Sequence, residues 1–398
     1  LAGERKLLEK KRPKRSQMTQ AGGLENVVGP YTEVANPDRL VRDPLVSVVM
    51  ITYNHEPYIA QAIEGVVSQE TDFPIELIIG EDCSTDRTRE IVLEFQRRYP
   101  EIIRVLFSGK NVGMQTNGTR TILAARGEYM AICEGDDWWH RRDKLQLQIR
   151  AFRADNSLVY IGGEVRHISA QGQVIGSEKQ NKCAQPPLRI EYQDLILGTL
   201  IHYPCTVVAR TDAVRRTFLG DTLCSDHTQL MGDIPLFLEL SQLGKMVYLR
   251  ETLASYRHSL NSATRQSDPL QVWRHEISSL VVRLRALERY PLPGDASRTS
   301  SLKAQFMRQI ILRAAWVGDG IVARNQLRRL KGLAGKAGWK EIACVVLAFI
   351  PLPRRSLKLG LTKITPYLRK ITPHLERMGL NPRKYFAGAG LGPLSIKE

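Results

Sequence analysis

Tyr129-Met-Ala-Ile-Cys133 runs directly into Glu134-Gly135-Asp136-Asp137. Five apolar residues closed by a polar turn read as a buried strand. Three carboxylates at its C-terminal end repel one another and lose hydration unless a cation sits among them. In an open α/β sheet, ligands bind in the crevice at the carboxyl ends of the strands. A second apolar run, Ile75–Gly80, ends in Glu81-Asp82-Cys83-Ser84-Thr85-Asp86. One such turn is explained by the preference of Asp and Ser for turns and helix caps. Two in series on one sheet point to a metal–nucleotide site.

Outward from these turns, strands and helices alternate. Val46–Ile51 reads as an apolar strand, and Tyr58–Ser68 places Ile59, Ala62, Ile63, Val66 and Val67 at helical spacing. Strand Ile75–Ile79, helix Thr85–Tyr99, strand Ile102–Phe107, helix Met114–Arg126, strand Tyr129–Cys133 and helix Arg141–Ala154 follow. Short connections between alternating β and α elements predict a mainly parallel sheet covered on both faces. Beyond it the spacing predicts a hairpin over Glu164–Gly176, a helix over Asp233–Leu243, and two short strands, Met246–Leu249 and Leu253–Tyr256. From about residue 269 the chain reads as almost entirely helical. The domain expectation is a flexible charged lead-in over 1–44, an α/β domain over 45–265, and a basic helical extension over 266–398.

The chain has 398 residues and a formal net charge of +16. Residues 301–398 hold 19 basic and 4 acidic side chains, while residues 46–300 hold 29 and 31. Such asymmetry suggests an appended segment that meets something anionic, lipid headgroups or nucleic acid. Aromatic and glycine-rich readout motifs are absent, so nucleic acid is not the expected partner. Leu357, Leu361, Ile364, Leu368, Ile371 and Leu375 make an apolar stripe through the repeat Lys363-Ile-Thr-Pro-Tyr-Leu-Arg369 and Lys370-Ile-Thr-Pro-His-Leu-Glu376. Pro366 and Pro373 interrupt it. Either a membrane-surface helix or a helical hairpin packed on its own domain fits that pattern.

Six cysteines form no C-x-x-C pair, which favours neither a zinc site nor a disulfide framework and suits a reducing cytosol. Leu1–Gln20 is polar and basic without the apolar core of a signal peptide. The longest apolar run, Ile342–Ile350, is shorter than the ~20 residues that cross a bilayer. The expected location is cytoplasmic, with peripheral attachment to the inner face of the plasma membrane through the tail.

Several motifs together resemble family 2 inverting glycosyltransferases of the GT-A fold. Val46-Ser-Val-Val-Met-Ile-Thr-Tyr-Asn54 is similar to that family's opening strand, and Gly80-Glu-Asp-Cys-Ser-Thr-Asp-Arg-Thr88 to its acidic "DDGSTDGT" turn. Asn111-Val-Gly113 and Ala125-Arg-Gly-Glu-Tyr-Met-Ala-Ile-Cys-Glu-Gly-Asp-Asp137 resemble the run into its metal-binding DxD. Gly232-Asp233, Gly244-Lys245 and Tyr256-Arg-His258 resemble the acceptor-side half, so the likeness spans roughly residues 45–262. The chain departs from the pattern where Ile51 replaces a proline, Glu81 and Glu134 replace aspartates, and Cys83 and Arg87 replace glycines. Thr119 stands where asparagine is common.

The resemblance implies a nucleotide-diphosphate sugar donor, a UDP-sugar foremost, and a saccharide or polyprenyl-linked acceptor of the kind used in cell-surface polysaccharide synthesis. A hard divalent cation, Mg²⁺ or Mn²⁺, would stabilise the leaving diphosphate. Asp136 is the first expected ligand, with Glu134 and Asp137 beside it and His258 able to complete the shell. Asp137 reads equally as a cap for the following helix, and His258 as a structural histidine. Asp82 would contact the base, which Thr52 and Tyr53 would flank, although Tyr53 also reads as a core-edge aromatic. Asp233 matches the family's catalytic base and also starts a helix, two roles that can coexist. Trp138 and Trp139 read either as acceptor-stacking indoles or as packing. Two other functions remain open: a non-catalytic nucleotide or sugar binder, and a sugar nucleotidyltransferase. Tyr53-Asn54-His55-Glu56 lacks the glycine-rich basic loop that the latter needs.

Overall fold

A computed structural model describes residues 28–177, 188–199, 202–226, 229–259 and 269–334. The chain divides into two compact units, residues 1–228 with 232–259, and residues 229–231 with 260–398.

The first unit is built on a ten-stranded sheet. Its centre is β2 (Val46–Thr52), which is flanked by β3 (Ile75–Glu81) and β5 (Tyr129–Ile132), both parallel to it. Beyond β3 lie β4 (Ile103–Phe107), parallel, and β1 (Thr32–Val34), antiparallel. Every residue of β3 is buried and β2 is nearly so, because helices cover both faces of a parallel sheet and leave no polar side. The helices are α1 (Ile59–Val67), α2 (Thr88–Arg98), α3 (Met114–Ala124) and α4 (Lys144–Ala154). Ile59, Ala62, Ile63 and Val66 of α1 all point into the core, as the 3.6-residue spacing requires.

On the other side of β5 the sheet turns mixed. The order continues through β9 (Val208–Arg210), β6 (Leu158–Ser169), β10 (Lys245–His258) and β8 (Leu188–Ile190), and β7 (Val174–Ser177) completes a hairpin with β6. Short helices α5 (Tyr192–Leu197), α6 (Thr211–Leu219) and α7 (Asp233–Leu240) connect these strands. Two departures from the sequence reading stand out. The two short strands expected near residues 246 and 253 are one strand, β10, which shifts register against β6 around Leu249–Ala254. Half-buried Arg250 and exposed Glu251 sit at that irregularity, where a bulge interrupts the ladder. The lead-in expected to be flexible to residue 44 contributes β1, an edge strand held by the Glu33–Arg104 ion pair at 2.7 Å.

Opposite the acidic turns, the sheet is locked by a buried carboxylate. Glu76 accepts hydrogen bonds from Ser47 Oγ (2.6 Å), Arg126 Nε (2.7 Å), Arg126 N (2.8 Å) and Arg104 (3.1 Å). Burial alone would raise its pKa, but the Arg126 and Ser47 hydrogen bonds and the Arg104 charge outweigh it and hold the carboxyl below its ordinary range.

The second unit is helical where described: α8 (Pro269–Arg289), α9 (Ala296–Val317) and α10 (Gly320–Ala334). Asp295 caps α9 by accepting from Arg298 N at 2.7 Å, and Gly318 ends it in the left-handed conformation. The apolar run 342–350 and the proline-containing repeat lie outside the described residues. Among those described, no helix is long and apolar enough to cross a membrane.

Candidate active site

Because β2 lies between β3 and β5, both acidic turns flank its C-terminal end. The loop after β2 is stitched to the loop after β3. Asn54 N donates to Ser84 Oγ (3.0 Å), His55 N to Thr88 Oγ1 (2.8 Å) and Glu56 N to Asp86 Oδ2 (3.0 Å). In return Thr85 N donates to Asn54 Oδ1 at 2.8 Å. Asn54 and Cys83 adopt φ of 54° and 60°, so Cys83 holds a left-handed conformation where the family pattern has glycine.

Asp82 is 2% exposed. Its two carboxylate oxygens accept from the backbone N–H groups of Val112 (2.8 Å) and Gly113 (2.9 Å). The acid therefore shapes the Asn111-Val-Gly113 loop, and a base could engage only its remaining lone pairs. Thr52 is buried, with Oγ1 3.2 Å from His55 Nδ1, whereas Tyr53 is 43% exposed and is not a core-edge residue.

The turn after β5 presses on the same strand end. Gly135 N donates to Ile51 O at 3.0 Å, and a Cβ on Gly135 would lie 2.8 Å from Thr52 Cβ and from His55 Nδ1. Only glycine fits there. Asp137 is fully buried, and its Oδ1 accepts from Arg257 N of β10 at 2.9 Å. Burial, then the neighbouring Asp136 charge, pushes its pKa up to about 8, against the pull of the Arg257 N–H and the Cys205 thiol. Glu134 is raised well above its usual range, first by burial and then by Asp137, Asp136 and Asp233. Asp233 is the first residue of α7 rather than its cap, a place taken by Gly232. The carboxylate of Asp136 makes no hydrogen bond or ion pair with the described residues, so its oxygens remain available.

This donor set suits a hard cation: a free carboxylate beside two whose negative charge is disfavoured. It is not a closed cage. Among the described residues, no three His, Cys, Asp or Glu side chains converge to hold an ion by themselves. Two members of the expected set Glu134, Asp136, Asp137 and His258 also have partners within the chain. Asp137 Oδ1 is engaged by the β10 backbone, and His258 Nε2 lies 2.7 Å from His167 Nδ1. The ion would need substrate oxygens to fill its shell.

The paired tryptophans separate. Trp139 is 2% exposed; its indole N–H donates to Cys205 O at 2.7 Å and the buried Lys144 ammonium lies 4.0 Å from its ring centre. It belongs to the core. Trp138 is half-buried and bridges Ser255 of β10 through its backbone. Arg257, not foreseen from the sequence, is 3% exposed and binds the acidic turn twice, N–H to Asp137 Oδ1 and Nε–H to Asp136 O (2.8 Å). Its side chain also reaches Gln61 and stacks on Tyr58, which joins α1 to β10.

The sequence model of the family described as "Glycosyl transferase family 2" matches residues 47–215. These residues belong to glycosyltransferase family 2. The match takes in both acidic turns; α7 and β10 lie beyond it. An uncharacterized protein of Mycobacterium tuberculosis is 45% identical over 105 residues, 26% of this chain and 30% of that protein. The chain thus spans under a third of that relative's length. A Bacillus subtilis protein provisionally named a teichuronic acid biosynthesis glycosyltransferase, TuaG, is 27% identical over 220 residues, 55% of this chain and 81% of that one. The crystal structure of S. aureus TarS residues 1–349 in complex with UDP aligns with a TM-score of 0.50 at 15% identity, covering 76% of this chain and 88% of that one. That likeness concerns the fold, which is GT-A.

Proposed function

We propose that this glycosyltransferase domain moves a sugar, with inversion, from a nucleotide-diphosphate sugar to a hydroxyl of a saccharide or polyprenyl-linked acceptor. The observation that carries the proposal is the unengaged Asp136 carboxylate, set between Glu134 and Asp137 near the Asp233 charge. Asp136, with Glu134, would hold Mg²⁺ or Mn²⁺ against the donor diphosphate. When bound, the ion supplies charge stabilisation for the leaving diphosphate. Exposed Tyr53 and buried Thr52, at the end of β2, would flank the nucleoside, and a UDP-sugar is the proposed donor. Asp233 takes the proton of the attacking hydroxyl on the face opposite the leaving group. Trp138 would meet the acceptor. The basic segment over 301–398 would bring the enzyme to the anionic cytoplasmic leaflet.

The direct test incubates purified protein with a panel of nucleotide sugars and Mn²⁺ and measures released nucleoside diphosphate. One donor class is expected to stand out. No release from any donor, with or without added saccharide acceptors, would favour a binding protein of this fold.

A further inference from the structure

Arg166 of β6 is unlike several arginines on and around the sheet. Arg104 and Arg126 share Glu76, Arg89 pairs with Glu81, and Arg257 faces the acidic turn. Arg166 is half-buried, and among the described residues no carboxylate pairs with it. Burial lowers its pKa with no nearby acid to offset the effect. A half-buried guanidinium without a counter-charge in the protein can take one from a ligand.

The side chain is held in one orientation. Its Nε–H donates to Ser255 Oγ at 2.8 Å, and the guanidinium carbon lies 5.0 Å from the centre of the Trp138 ring. Ser255 Oγ is also 2.9 Å from His140 Nδ1. Burial, then Arg166 and Arg141, pushes His140 down to about 4, so its ring is neutral at pH 7. The neutral imidazole and the serine hydroxyl share one hydrogen bond, and the hydroxyl oxygen accepts from Arg166. The terminal amino groups of Arg166 remain as an unused planar fork, the geometry that matches carboxylate or phosphate. Trp138 directly follows Asp137, which puts this fork beside the acidic turn, where the acceptor is proposed to bind.

We propose that Arg166, seated on Trp138 and fixed by Ser255 and His140, binds an oxyanion on the acceptor saccharide, either a uronate carboxylate or a phosphodiester. This inference rests on the glycosyltransferase reading above and makes Arg166 a specificity residue for an acidic polymer. Trp138 then acts as the support of the guanidinium.

Calorimetric titration of the full chain, with Mn²⁺ and UDP present, tests it with three probes of equal length: a glucuronate-containing tetrasaccharide, a glycerol-phosphate tetramer and neutral cellotetraose. One anionic probe should bind ~10-fold or more tightly than the neutral one, and which of the two does so identifies the oxyanion. Arg166→Gln should remove that preference and Arg166→Lys keep part of it, with UDP affinity unchanged in both. Equal binding of all three probes by the wild type, or an undiminished preference in Arg166→Gln, would overturn the inference. If the wild type binds no nucleoside diphosphate at all, the glycosyltransferase reading itself falls, and this inference with it.

Discussion

Asp137 Oδ1 accepts a hydrogen bond from the backbone N–H of Arg257 at 2.9 Å, across 120 residues of sequence. One carboxylate of the acidic turn thereby acts as a clamp. It fixes the end of β10 beside the turn and leaves Asp136, one residue away, as the open acid. The division of labour between adjacent aspartates governs what their substitution should do.

Asp136→Ala should abolish turnover, because the leaving diphosphate loses the group that would bring a cation to it. Mn²⁺-dependent binding of nucleoside diphosphate should weaken ~10-fold or more, since loss of even an outer-shell partner of a metal has effects of that size. Folding should be little affected, as Asp136's carboxylate supports no internal hydrogen bond. Asp137→Ala should instead lower the melting temperature. Calorimetry and thermal denaturation on both variants separate the roles; equal metal responses would place the open acid elsewhere.

For Asp233→Asn the expected signature is kinetic. The amide keeps the size and helix position of the carboxylate but cannot accept the acceptor's proton, so kcat should fall ~10²-fold or more. Donor affinity should hardly change. A near-normal rate in steady-state assays would mean that the proton leaves by another route.

How much of this was legible in the sequence follows from the range of the interactions. The strand-end position of both acidic turns follows from local apolar runs, and β2, β3 and β5 bear that out. Neither Arg257 nor Arg166 could be found locally, because both reach the site through the pairing of β10 with β6, whose register slips twice between Leu249 and Ala254. The same pairing explains the tryptophans. Trp138 and Trp139 are chemically alike and adjacent, and only the backbone bridge from Trp138 to Ser255 decides which indole turns inward. His258 looked like a lone histidine until the fold brought His167, 91 residues away, within 2.7 Å. β1 escaped notice because three residues in a charged lead-in carry no periodicity.

At the opposite end of the sheet, Glu76→Ala should cost about 3–5 kcal/mol, since it leaves Arg104 and Arg126 facing each other without their shared carboxylate. The pH dependence has a definite sign. The folded-state pKa of Glu76 is depressed, so its contribution is fully present above the unfolded carboxylate range, ~4.3. It disappears as pH falls through the lower folded value. Denaturant melts at pH 7 and pH 3.5 should therefore show the wild type losing stability on acidification and Glu76→Gln losing less of it. An identical acid response in the two would assign the loss to other carboxylates.

The last prediction concerns the segment whose charge first set it apart. Residues 301–398 carry 19 basic and 4 acidic side chains, with the apolar run 342–350 and a Leu/Ile stripe within them. Each Lys or Arg near an anionic leaflet contributes ~1 kcal/mol of attraction, and an apolar helix face can enter the headgroup boundary. Attachment of that kind would hold the catalytic unit next to a lipid-linked acceptor. The competing arrangement has these helices cover their own unit, with the charge serving only solubility. Vesicle co-sedimentation distinguishes the two. Full-length protein should pellet with anionic vesicles but not neutral ones, release as salt rises and the Debye length shrinks, and lose its binding when residues 336–398 are deleted. A truncated protein that pellets as well as the full chain would show that the tail does not dock on membranes.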